Sequence, residues 1–284
     1  MISVFSQIQE QGINFIDIGC RGELDKKWKS LFSALNYVGF DLDEEECRRL
    51  ASLSSPYKSV RYLPYAIAGH VGQAELYATK APYCWSLLKP RQAWLRRFAF
   101  ADLFEVVGKS KVDCVTLDHL AGTEKLQADI LKLDTQGLEA PILKAGTTLL
   151  QDAFCVELET GFIECYHEET VAAVADTFMR EHGFLLFDIT VHRVGRANPF
   201  AEQSRQQVMW CETLWLRDYL AGESRPIDIP LPEREKVVKA LYICKALGFA
   251  DYGFELAGYF YSKGLLSDEE MASLSEKDAW AECD

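Results

Sequence analysis

The chain has 284 residues, of which 49% are hydrophobic and 26% are charged, so its composition is that of a globular protein and not of a disordered one. Its 43 acidic and 30 basic side chains give a net charge of −13, which argues against nucleic-acid and anionic-membrane partners. No apolar run approaches the ~20 residues of a spanning helix, and the N-terminal segment lacks signal-peptide features. Together with nine dispersed cysteines, these features predict a cytoplasmic protein with reduced thiols.

The N-terminal part of the chain alternates strand and helix patterns. An apolar run at 14–18 and a glycine turn precede an amphipathic pattern over 24–35, which predicts a strand, a tight loop and a helix. A second strand is predicted at 37–41, and Asp43 with Glu46 predicts a capping box at the start of the next helix. This order is typical of a parallel sheet with right-handed crossovers.

The middle of the chain is less regular before the alternation returns. Strands are predicted near Tyr62 and Glu75–Tyr77, and a helix is predicted near Trp94–Phe104. The segments 80–110 and 190–207 are predicted to be irregular loops in large part. The remaining predicted strands are 128–134, 153–159, 184–189 and 208–216, with helices from the turn at Gly137 through Leu150 and at 169–182.

A proline-rich segment near Arg225 predicts a linker. Beyond it, two helices that end at Gly248 and Gly264, and a short third helix, predict a helical appendage outside the sheet. We therefore divide the chain into a domain of residues 1–222 and a helical extension of residues 223–284. The apolar stripes of the extension would serve docking onto the chain's own domain or a homo-oligomer interface, and they contain Leu241, Tyr259 and Phe260.

The first ligand-binding motif follows the first predicted strand and reads Asp17-Ile-Gly19-Cys-Arg21-Gly22. Glycines let a ligand approach the backbone, and a following helix offers free N–H groups. An acidic residue ahead of the glycines repels a pyrophosphate but accepts hydrogen bonds from an α-ammonium group. The motif therefore favours S-adenosylmethionine over NAD, and the incomplete G-x-G-x-x-G argues against a dehydrogenase. Asp41 ends the next strand, where a carboxylate can accept both ribose hydroxyls.

Further acidic side chains follow later strands. Parallel sheets bind ligands at the carboxyl ends of their strands, so Asp17, Asp41 and Asp134 are expected to converge on one edge. Glu159 ends the next strand, and His167 follows in the loop. Methyl transfer to an alcohol requires a base for the hydroxyl proton, and Asp134, Glu159 and His167 are the candidates.

Six segments occur in the order seen in FkbM-type methyltransferases, and together they resemble that family over about residues 14–220. The resemblance implies a class I, Rossmann-like α/β fold with a mostly parallel sheet and helices on both faces. It also implies S-adenosylmethionine as the cofactor and a hydroxyl group of a carbohydrate or small natural product as the methyl acceptor. The segments are FIDIGCRG, YVGFDLD, AIAGHVGQAEL, VTLDHL, ILKLDTQGLEAPILKAG and VELETGFIECY.

The resemblance also implies roles for single residues. Asp17, Gly19 and Gly22 would line the methionine moiety, Asp41 would hold the ribose, and Asp134 would lie near the methyl group. The further positions that it places at the cofactor are Cys20, Arg21, Leu42, Ser86 and Gln136.

The chain departs from the family pattern at three places. Many members have Asn after a small residue where this chain has Cys20 and Arg21, and many have Glu where it has Asp41. Many also have Glu at the position of Gln136, whose amide cannot accept a proton, so a base role there is in doubt.

The alternative to an O-methyltransferase is a non-catalytic Rossmann-like scaffold that holds a partner through its C-terminal helices. A nucleic-acid methyltransferase is disfavoured, because the LDTQG block lacks the Asn-Pro-Pro-aromatic signature of amino methylation and the net charge is negative. The sequence shows no convincing metal ligand set, although the carboxylates near the crevice leave Mg²⁺ or Ca²⁺ open.

Overall fold

The computed structural model describes residues 4–220 and 229–281, and within them the strands form two sheets. The strands are β1 (Ile13–Ile18), β2 (Leu35–Phe40), β3 (Ser59–Leu63), β4 (Ala66–Ile67), β5 (Gly72–Thr79), β6 (Val106–Val115), β7 (Ile130–Leu133), β8 (Cys155–Gly161), β9 (Phe184–Val194) and β10 (Gln207–Arg217). The larger sheet has the order β3-β2-β1-β7-β8-β10-β9, and the smaller has the order β4-β6-β5. In the larger sheet only β10 runs antiparallel to its neighbours.

The helices lie on both faces of the larger sheet. The α-helices are α1 (Ile8–Gln11), α2 (Glu44–Ala51), α3 (Gln92–Leu95), α4 (Leu117–Thr123), α5 (Glu139–Lys144), α6 (Thr147–Asp152), α7 (Ala172–Glu181), α8 (Arg234–Ala246), α9 (Ala250–Ser262) and α10 (Asp268–Leu274). Short 3-10 helices occupy Val4–Gln7, Lys26–Ala34, Pro82–Cys84, Ala101–Phe104, Ala201–Gln203 and Lys277–Trp280.

The connection between β1 and β2 differs from the prediction, because it is a 3-10 helix over Lys26–Ala34 and not an α-helix. Its apolar side chains Trp28 and Leu31 are nevertheless buried, as the amphipathic pattern predicts. The segment runs directly into β2 and must return along the whole of β1, a distance of about 20 Å. A 3-10 helix rises about 2.0 Å per residue against about 1.5 Å in an α-helix, so the tighter helix reaches further with the same residues.

Other predicted elements are interrupted or were missed. The helix predicted near Trp94–Phe104 is α3 followed by a 3-10 turn, and the helix predicted through Leu150 is divided into α5 and α6. The small sheet adds β4 and β6, which the sequence did not predict. Strand β6 escaped prediction because its middle residues Lys109, Ser110 and Lys111 are polar and exposed, which interrupts the alternation of the strand. Strand β9 continues to Val194, well into a predicted loop.

Side-chain alternation along the strands builds two hydrophobic cores. On one face Ile13 and Phe15 of β1 pack with Trp28, and on the other face Ile16 and Ile18 pack against the layer of α4 to α7. A buried strand presents successive side chains to opposite faces, so β1 supplies both cores. Towards the carboxyl ends of the strands the first face becomes polar, and this change creates the site described below.

The C-terminal helices complete the first core and do not stand apart from the sheet. Val237, Leu241 and Phe260 are buried in the same cluster as Phe15, and Tyr259 packs against its edge. These helices cover the face on which the β1–β2 connection supplies only a 3-10 helix. Of the two roles left open for these apolar stripes, the buried side chains serve docking onto the chain's own sheet. The predicted boundary after residue 222 lies outside the described residues.

Two lysines of α8 fasten it to the amino end of β7. Lys236 Nζ lies 2.8 Å from Asp129 Oδ1, and Lys239 Nζ lies 3.2 Å from Asp129 Oδ2. Asp129 Oδ2 also accepts a hydrogen bond from the backbone N–H of Asn14 at 2.8 Å. A buried carboxylate with this many partners fixes where the helix lies on the sheet. In the described part of the chain, none of the helices has the length and hydrophobicity that a bilayer crossing requires.

Replacing Leu241 by Ala is expected to lower the free energy of unfolding by about 2–5 kcal/mol, because the side chain is fully buried between α8 and the sheet. The matched control is Phe254→Ala on α9, where the ring is 44% exposed and the expected change is within about 0.5 kcal/mol. Urea unfolding followed by circular dichroism measures both. Equal effects of the two substitutions would contradict the assignment of α8 to the core.

Candidate active site

Three neighbouring cavities open at the carboxyl ends of the central strands, and Asp134 lines all three. The β2 cavity is lined by Gly19, Phe40, Asp41, Leu42, Ile67 and Ser86. The aromatic cavity is lined by Tyr83, Phe100, Phe104, Tyr166 and Trp210, with carboxyl groups on its floor. The acidic cavity is lined by Asp17, Lys132, Glu157, Glu159 and Glu212.

Gly19 allows the loop after β1 to approach β7 very closely. Its φ is +87°, and a Cβ atom built on it would lie 1.9 Å from the carbonyl oxygen of Asp134. The N–H groups of Gly19 and Cys20 both donate to the carbonyl oxygen of Phe40, at 2.8 and 3.0 Å. The loop is therefore held between the ends of β2 and β7, with its backbone beside the cavities.

Gly22 is not among the residues that line the three cavities. Its N–H donates to Glu46 Oε1 at 3.3 Å, so it ties the loop to α2. Asp43 caps α2 as predicted by accepting from the N–H groups of Glu45 and Glu46, at 3.0 and 3.3 Å. The predicted capping box is only half formed, because the Glu46 side chain turns to Gly22 and Arg49 instead of returning to Asp43.

Asp17 is buried and already has partners for both oxygens. Tyr37 Oη donates to its Oδ2 at 2.7 Å, and Lys132 Nζ lies 3.0 Å from its Oδ1. Burial alone would lower the pKa of Lys132, but the charges of Asp17, Asp134 and Glu157 raise it above its ordinary value. A ligand ammonium group near Asp17 would therefore share the carboxylate with Lys132. Contact of Asp17 with the cofactor stays a prediction.

Asp41 presents one oxygen to the β2 cavity. Its Oδ1 accepts from the N–H of Asp43 at 2.8 Å and from Arg21 at 3.3 Å, while Oδ2 accepts no hydrogen bond from the residues described. Burial raises the pKa of Asp41, against the opposing effects of the Asp43 N–H and Arg21. Arg21 also pairs with Asp43 at 2.9 Å and lies 5.3 Å from the centre of the Trp85 ring. It therefore bridges the mouth of this cavity.

Cys20 and Leu42 take less exposed positions. The Cys20 side chain is buried next to Gly39 and lines the acidic cavity, and burial raises the pKa of its thiol well above the ordinary value. Leu42 packs with the small sheet and forms part of the apolar wall of the β2 cavity. Cys20 is thus an inert thiol beside the site, and Leu42 contributes surface only.

Asp134 and Glu159 form a carboxyl pair where the cavities meet. The two carboxyl groups are hydrogen-bonded, and the pKa of Glu159 is raised well above its ordinary value, first by burial and then by the charge of Asp134 and that hydrogen bond. When two carboxyl groups are in contact, the repulsion of two like charges favours a state in which one of them is protonated. Burial and the charge of Asp134 therefore favour the protonated form of Glu159.

Gln136 connects this pair to Tyr166. Its Nε2 donates to Asp134 Oδ1 at 2.9 Å, and its Oε1 lies 2.9 Å from Tyr166 Oη. The backbone of Gln136 is left-handed, with φ of 55°, and its carbonyl oxygen accepts from Ser86 Oγ at 2.9 Å. Ser86 therefore fixes the loop that orients Asp134, in addition to lining the β2 cavity. Gln136 acts as an orienting amide, consistent with its inability to serve as a base.

The block Lys132-x-Asp-x-x-Gly-x-Glu139 has a physical explanation in this loop. Glu139 Oε1 accepts from the N–H and hydroxyl of Thr135, at 3.0 and 2.9 Å, and from the N–H of Gly137 at 3.2 Å. Gly137 has a φ of +107°, which an L side chain rarely adopts. Lys132 neutralises Asp17 at the start of the block, and Glu139 closes the turn at its end. Together they fix the backbone that carries Asp134.

Glu139 gives the protein a pH-dependent stability. Burial raises its pKa from 4.5 to about 7, so the folded protein holds this proton more tightly than the unfolded chain. Its stabilisation is complete below about pH 4.5 and is lost as the pH rises through about 7. Between about pH 5.5 and pH 8, this loss amounts to about 2 kcal/mol of unfolding free energy.

The isosteric Glu139→Gln substitution should remove the part of the wild-type decrease in stability that Glu139 causes. Urea unfolding at both pH values measures the effect. An unchanged pH dependence in the variant would contradict the assignment.

His167 does not join the other predicted catalytic residues. It is exposed, is not among the residues lining the three cavities, and donates its backbone N–H to Lys89 at 2.9 Å. The chain turns outward after Tyr166 and places His167 outside the three cavities, and its role as a base stays a prediction. Asp134 and Glu159 are brought together as expected.

Several site residues were not predicted as such. Tyr166 is hydrogen-bonded to Gln136, and Glu169 accepts from the N–H groups of Cys165 and Tyr166, at 2.5 and 2.9 Å. Lys132 had a recognisable signal, since a lysine inside an apolar strand requires a buried partner. No local pattern marks Glu169. Among residues 4–220 and 229–281, no group of three or more His, Cys, Asp or Glu side chains is arranged to hold a metal ion.

The sheet order, the single antiparallel strand and the site at the carboxyl ends of β1, β2 and β7 define the class I methyltransferase fold. Residues 32–186, more than half of the chain, match the family model of the methyltransferase FkbM domain. The chain therefore belongs to the FkbM methyltransferase family. No curated protein matches the sequence.

Solved structures of methyltransferases align with the chain at low identity. A TehB-like SAM-dependent methyltransferase from Corynebacterium glutamicum is 10% identical, with 77% of this chain and 89% of that chain covered and a TM-score of 0.34. A candidate tRNA (m1A22) methyltransferase from Streptococcus pneumoniae is 8% identical, with 99% and 100% covered and a TM-score of 0.35. A SAM-dependent methyltransferase from Methanosarcina mazei is 8% identical, with 73% and 93% covered and a TM-score of 0.33.

Proposed function

We propose that the protein transfers a methyl group from S-adenosylmethionine to a hydroxyl group of a carbohydrate or small natural product. The observation that carries this proposal is the Asp134–Glu159 pair, which lies where the β2 cavity, the aromatic cavity and the acidic cavity meet. A base at that point is next to both a cofactor and an acceptor. Membership in the FkbM family supports the methyl transfer itself.

The residues of the β2 cavity fit the nucleoside part of S-adenosylmethionine. Asp41 Oδ2 accepts no hydrogen bond from the described residues and would receive the ribose hydroxyls, while Phe40, Leu42 and Ile67 would pack on the adenine. The loop after β1 would contact the methionine part through its backbone at Gly19, which has no side chain to keep the ligand away. When bound, this cofactor supplies an electrophilic methyl group on a positively charged sulfur.

The carboxyl pair would supply the base. The acceptor hydroxyl would donate to the Asp134 carboxylate, and its proton would pass to the pair as the new carbon–oxygen bond forms and the carbon–sulfur bond breaks. A protonated Glu159 would limit the pair to one negative charge, which would also favour a positively charged sulfur. Gln136 and Tyr166 hold Asp134 in one orientation, which is the positioning that methyl transfer requires.

The scaffold alternative loses its main support. It depends on apolar C-terminal faces that are free to hold a partner, but Leu241 and Phe260 are buried against the chain's own sheet. The same observation removes these side chains from a homo-oligomer interface. The negative net charge and the acidic site continue to favour a small acceptor over a polyanion.

Calorimetric titration with S-adenosylhomocysteine tests the cofactor assignment. The wild type is expected to bind at micromolar concentration, and Asp41→Ala should weaken binding by about tenfold or more, the effect of losing the ribose hydrogen bonds. Asp43→Asn is the matched control, because Asn still caps α2 while the ion pair with Arg21 is lost. It should bind within about threefold of wild type. Absence of binding to folded wild-type protein would reject the proposal.

A panel of sugars, phenols and amines then separates oxygen from nitrogen acceptors. Transfer of a labelled methyl group from S-adenosylmethionine is measured for each compound, and mass spectrometry of the product locates the methyl group. The proposal predicts methylation at oxygen. Methylation confined to nitrogen would keep the cofactor assignment and refute the hydroxyl acceptor.

A further inference from the structure

The aromatic cavity is built from chain segments that lie far apart in the sequence. The rings of Phe100 and Trp210 lie nearly parallel, with centroids 6.2 Å apart and planes at 20°. Phe104 meets Tyr166 edge to face at 5.5 Å, and Tyr83 lies at the junction with the β2 cavity. Flat apolar walls of this kind complement a ring, since aromatic faces pack on flat surfaces.

The Asp, Glu, Lys and Arg side chains that line this cavity are all acidic. They are Asp134, Glu159 and Glu169, and no Lys or Arg is among the described lining residues. Two arginines of neighbouring segments also lie outside this lining. Arg91 pairs with Glu164 at 2.5 Å, and Arg196 lies 4.3 Å from the centre of the Phe98 ring and hydrogen-bonds Gln207. An anionic acceptor would therefore meet like charge without a compensating cation.

Glu169 presents one carboxyl oxygen beside Gly161. Its Oε2 accepts from two backbone N–H groups, while Oε1 accepts no hydrogen bond from the described residues. A Cβ built on Gly161 would lie 2.4 Å from Oε1, so any side chain there would displace this oxygen. Gly161 follows Glu159 by two residues on β8, and both therefore face the same side of the sheet. The carboxyl group of Glu169 and the Asp134–Glu159 pair are thus two separate acidic groups that line the aromatic cavity.

We infer that the acceptor is a ring compound that carries an ammonium group, which Glu169 binds while the hydroxyl lies at the Asp134–Glu159 pair. This inference rests on the proposed function and specifies its substrate class. Glu169 is then a specificity-determining residue, and the chemistry of the cavity excludes acceptors with a carboxylate or phosphate near the hydroxyl.

Three phenols that differ mainly in charge test the inference. Tyramine is cationic, tyrosol is neutral and 4-hydroxyphenylacetate is anionic. Each is titrated into the full chain saturated with S-adenosylhomocysteine at pH 8, because burial raises the pKa of Glu169 to about 7 and its carboxyl is ionised above that value. Tyramine is expected to bind about tenfold more tightly than tyrosol, and 4-hydroxyphenylacetate about tenfold more weakly. Glu169→Gln should bring tyramine to the level of tyrosol and leave tyrosol within about twofold. The matched control is Glu168→Gln, the exposed neighbouring acid, which should preserve the preference.

A second measurement covers the case in which none of the three phenols binds. A Tyr83→Cys variant is treated separately with a cationic trimethylammonium and an anionic sulfonate methanethiosulfonate reagent, with wild-type protein as the blank. The eight described cysteines are all buried, so the new thiol reports on the mouth of the cavity. The ratio of the modification rates with the cationic and the anionic reagent is the quantity compared. For Tyr83→Cys it should be about fivefold higher than for Leu53→Cys, whose thiol would be exposed away from the cavity. Adding Glu169→Gln to the Tyr83→Cys variant should reduce this difference.

The outcomes separate this inference from the proposed function. If S-adenosylhomocysteine does not bind, the proposed function fails first. If it binds but 4-hydroxyphenylacetate binds as tightly as tyramine, only the acceptor class is refuted. If none of the phenols binds, the thiol modification rates decide. Equal cation-to-anion rate ratios for the cysteines at positions 83 and 53 refute the ammonium-bearing acceptor class. A higher ratio at position 83 that depends on Glu169 supports it.

Discussion

Replacing Asp134 by Asn is expected to reduce kcat by about 10²–10⁴-fold, because the variant lacks the carboxylate that would accept the hydroxyl proton. The amide has the same shape and still accepts the hydrogen bond from Gln136, so binding of S-adenosylhomocysteine should remain within a few fold. The initial rate of methyl transfer to the best acceptor of the panel measures the first effect, and calorimetry measures the second.

The isosteric Glu159→Gln substitution is the matched control for Asp134→Asn. A glutamine at position 159 still donates a hydrogen bond to Asp134, as the protonated glutamate does, so kcat should fall by about tenfold or less. Each of the two substitutions replaces one carboxyl oxygen by an amide nitrogen, and the two altered groups are neighbours in the same cavity. A larger loss from Glu159→Gln than from Asp134→Asn would show that Glu159 accepts the proton, and the assigned roles would have to be exchanged.

Replacing Gly19 by Ala is expected to abolish detectable binding of S-adenosylhomocysteine and to lower the free energy of unfolding by about 3 kcal/mol or more. Two effects combine at this position. The φ of +87° disfavours any L side chain, and the new methyl group would lie 1.9 Å from the carbonyl oxygen of Asp134. The loop after β1 and the end of β7 would have to separate, and the two ends of the site would move apart.

Gly22→Ala isolates the first of these effects. Gly22 has a similar φ of +90°, but a Cβ built on it has no heavy atom within 4 Å. The expected loss of stability is therefore only the backbone strain of about 1 kcal/mol. Urea unfolding and calorimetry compare the two variants under the same conditions. If Gly19→Ala behaves like Gly22→Ala, the close approach of the loop to β7 is not required for the site.

Local sequence patterns contain much of the fold and part of the site. The strands around Asp17, Asp41, Asp134 and Glu159 could be predicted because apolar runs of strand length, ended by an acid or a glycine, define buried parallel strands. Their convergence then follows from the geometry of a parallel sheet, in which successive carboxyl ends meet at one edge. The spacing of apolar residues over 24–35 predicted the buried face correctly. It predicted an α-helix where the structure has a 3-10 helix, because this spacing is compatible with both helix types.

The features that depend on contacts between distant segments could not be predicted in this way. Lys132 and Asp17 pair because β7 lies beside β1, and Gln136 bonds Tyr166 because two loops after different strands meet. The walls of the aromatic cavity join segments that were predicted as loops, and nothing local indicates that Trp210 lies against Phe100.

The sequence by itself therefore determined the α/β class, the family and the acidic residues at the strand ends, because these follow from local periodicity and short motifs. The tertiary structure decided that Glu159 lies beside Asp134, whose charge adds to burial in raising the pKa of Glu159, that His167 lies outside the three cavities and that the C-terminal helices form a layer of the fold. These outcomes depend on burial and on contacts across the sheet, which arise only when the strands and the faces of the helices meet.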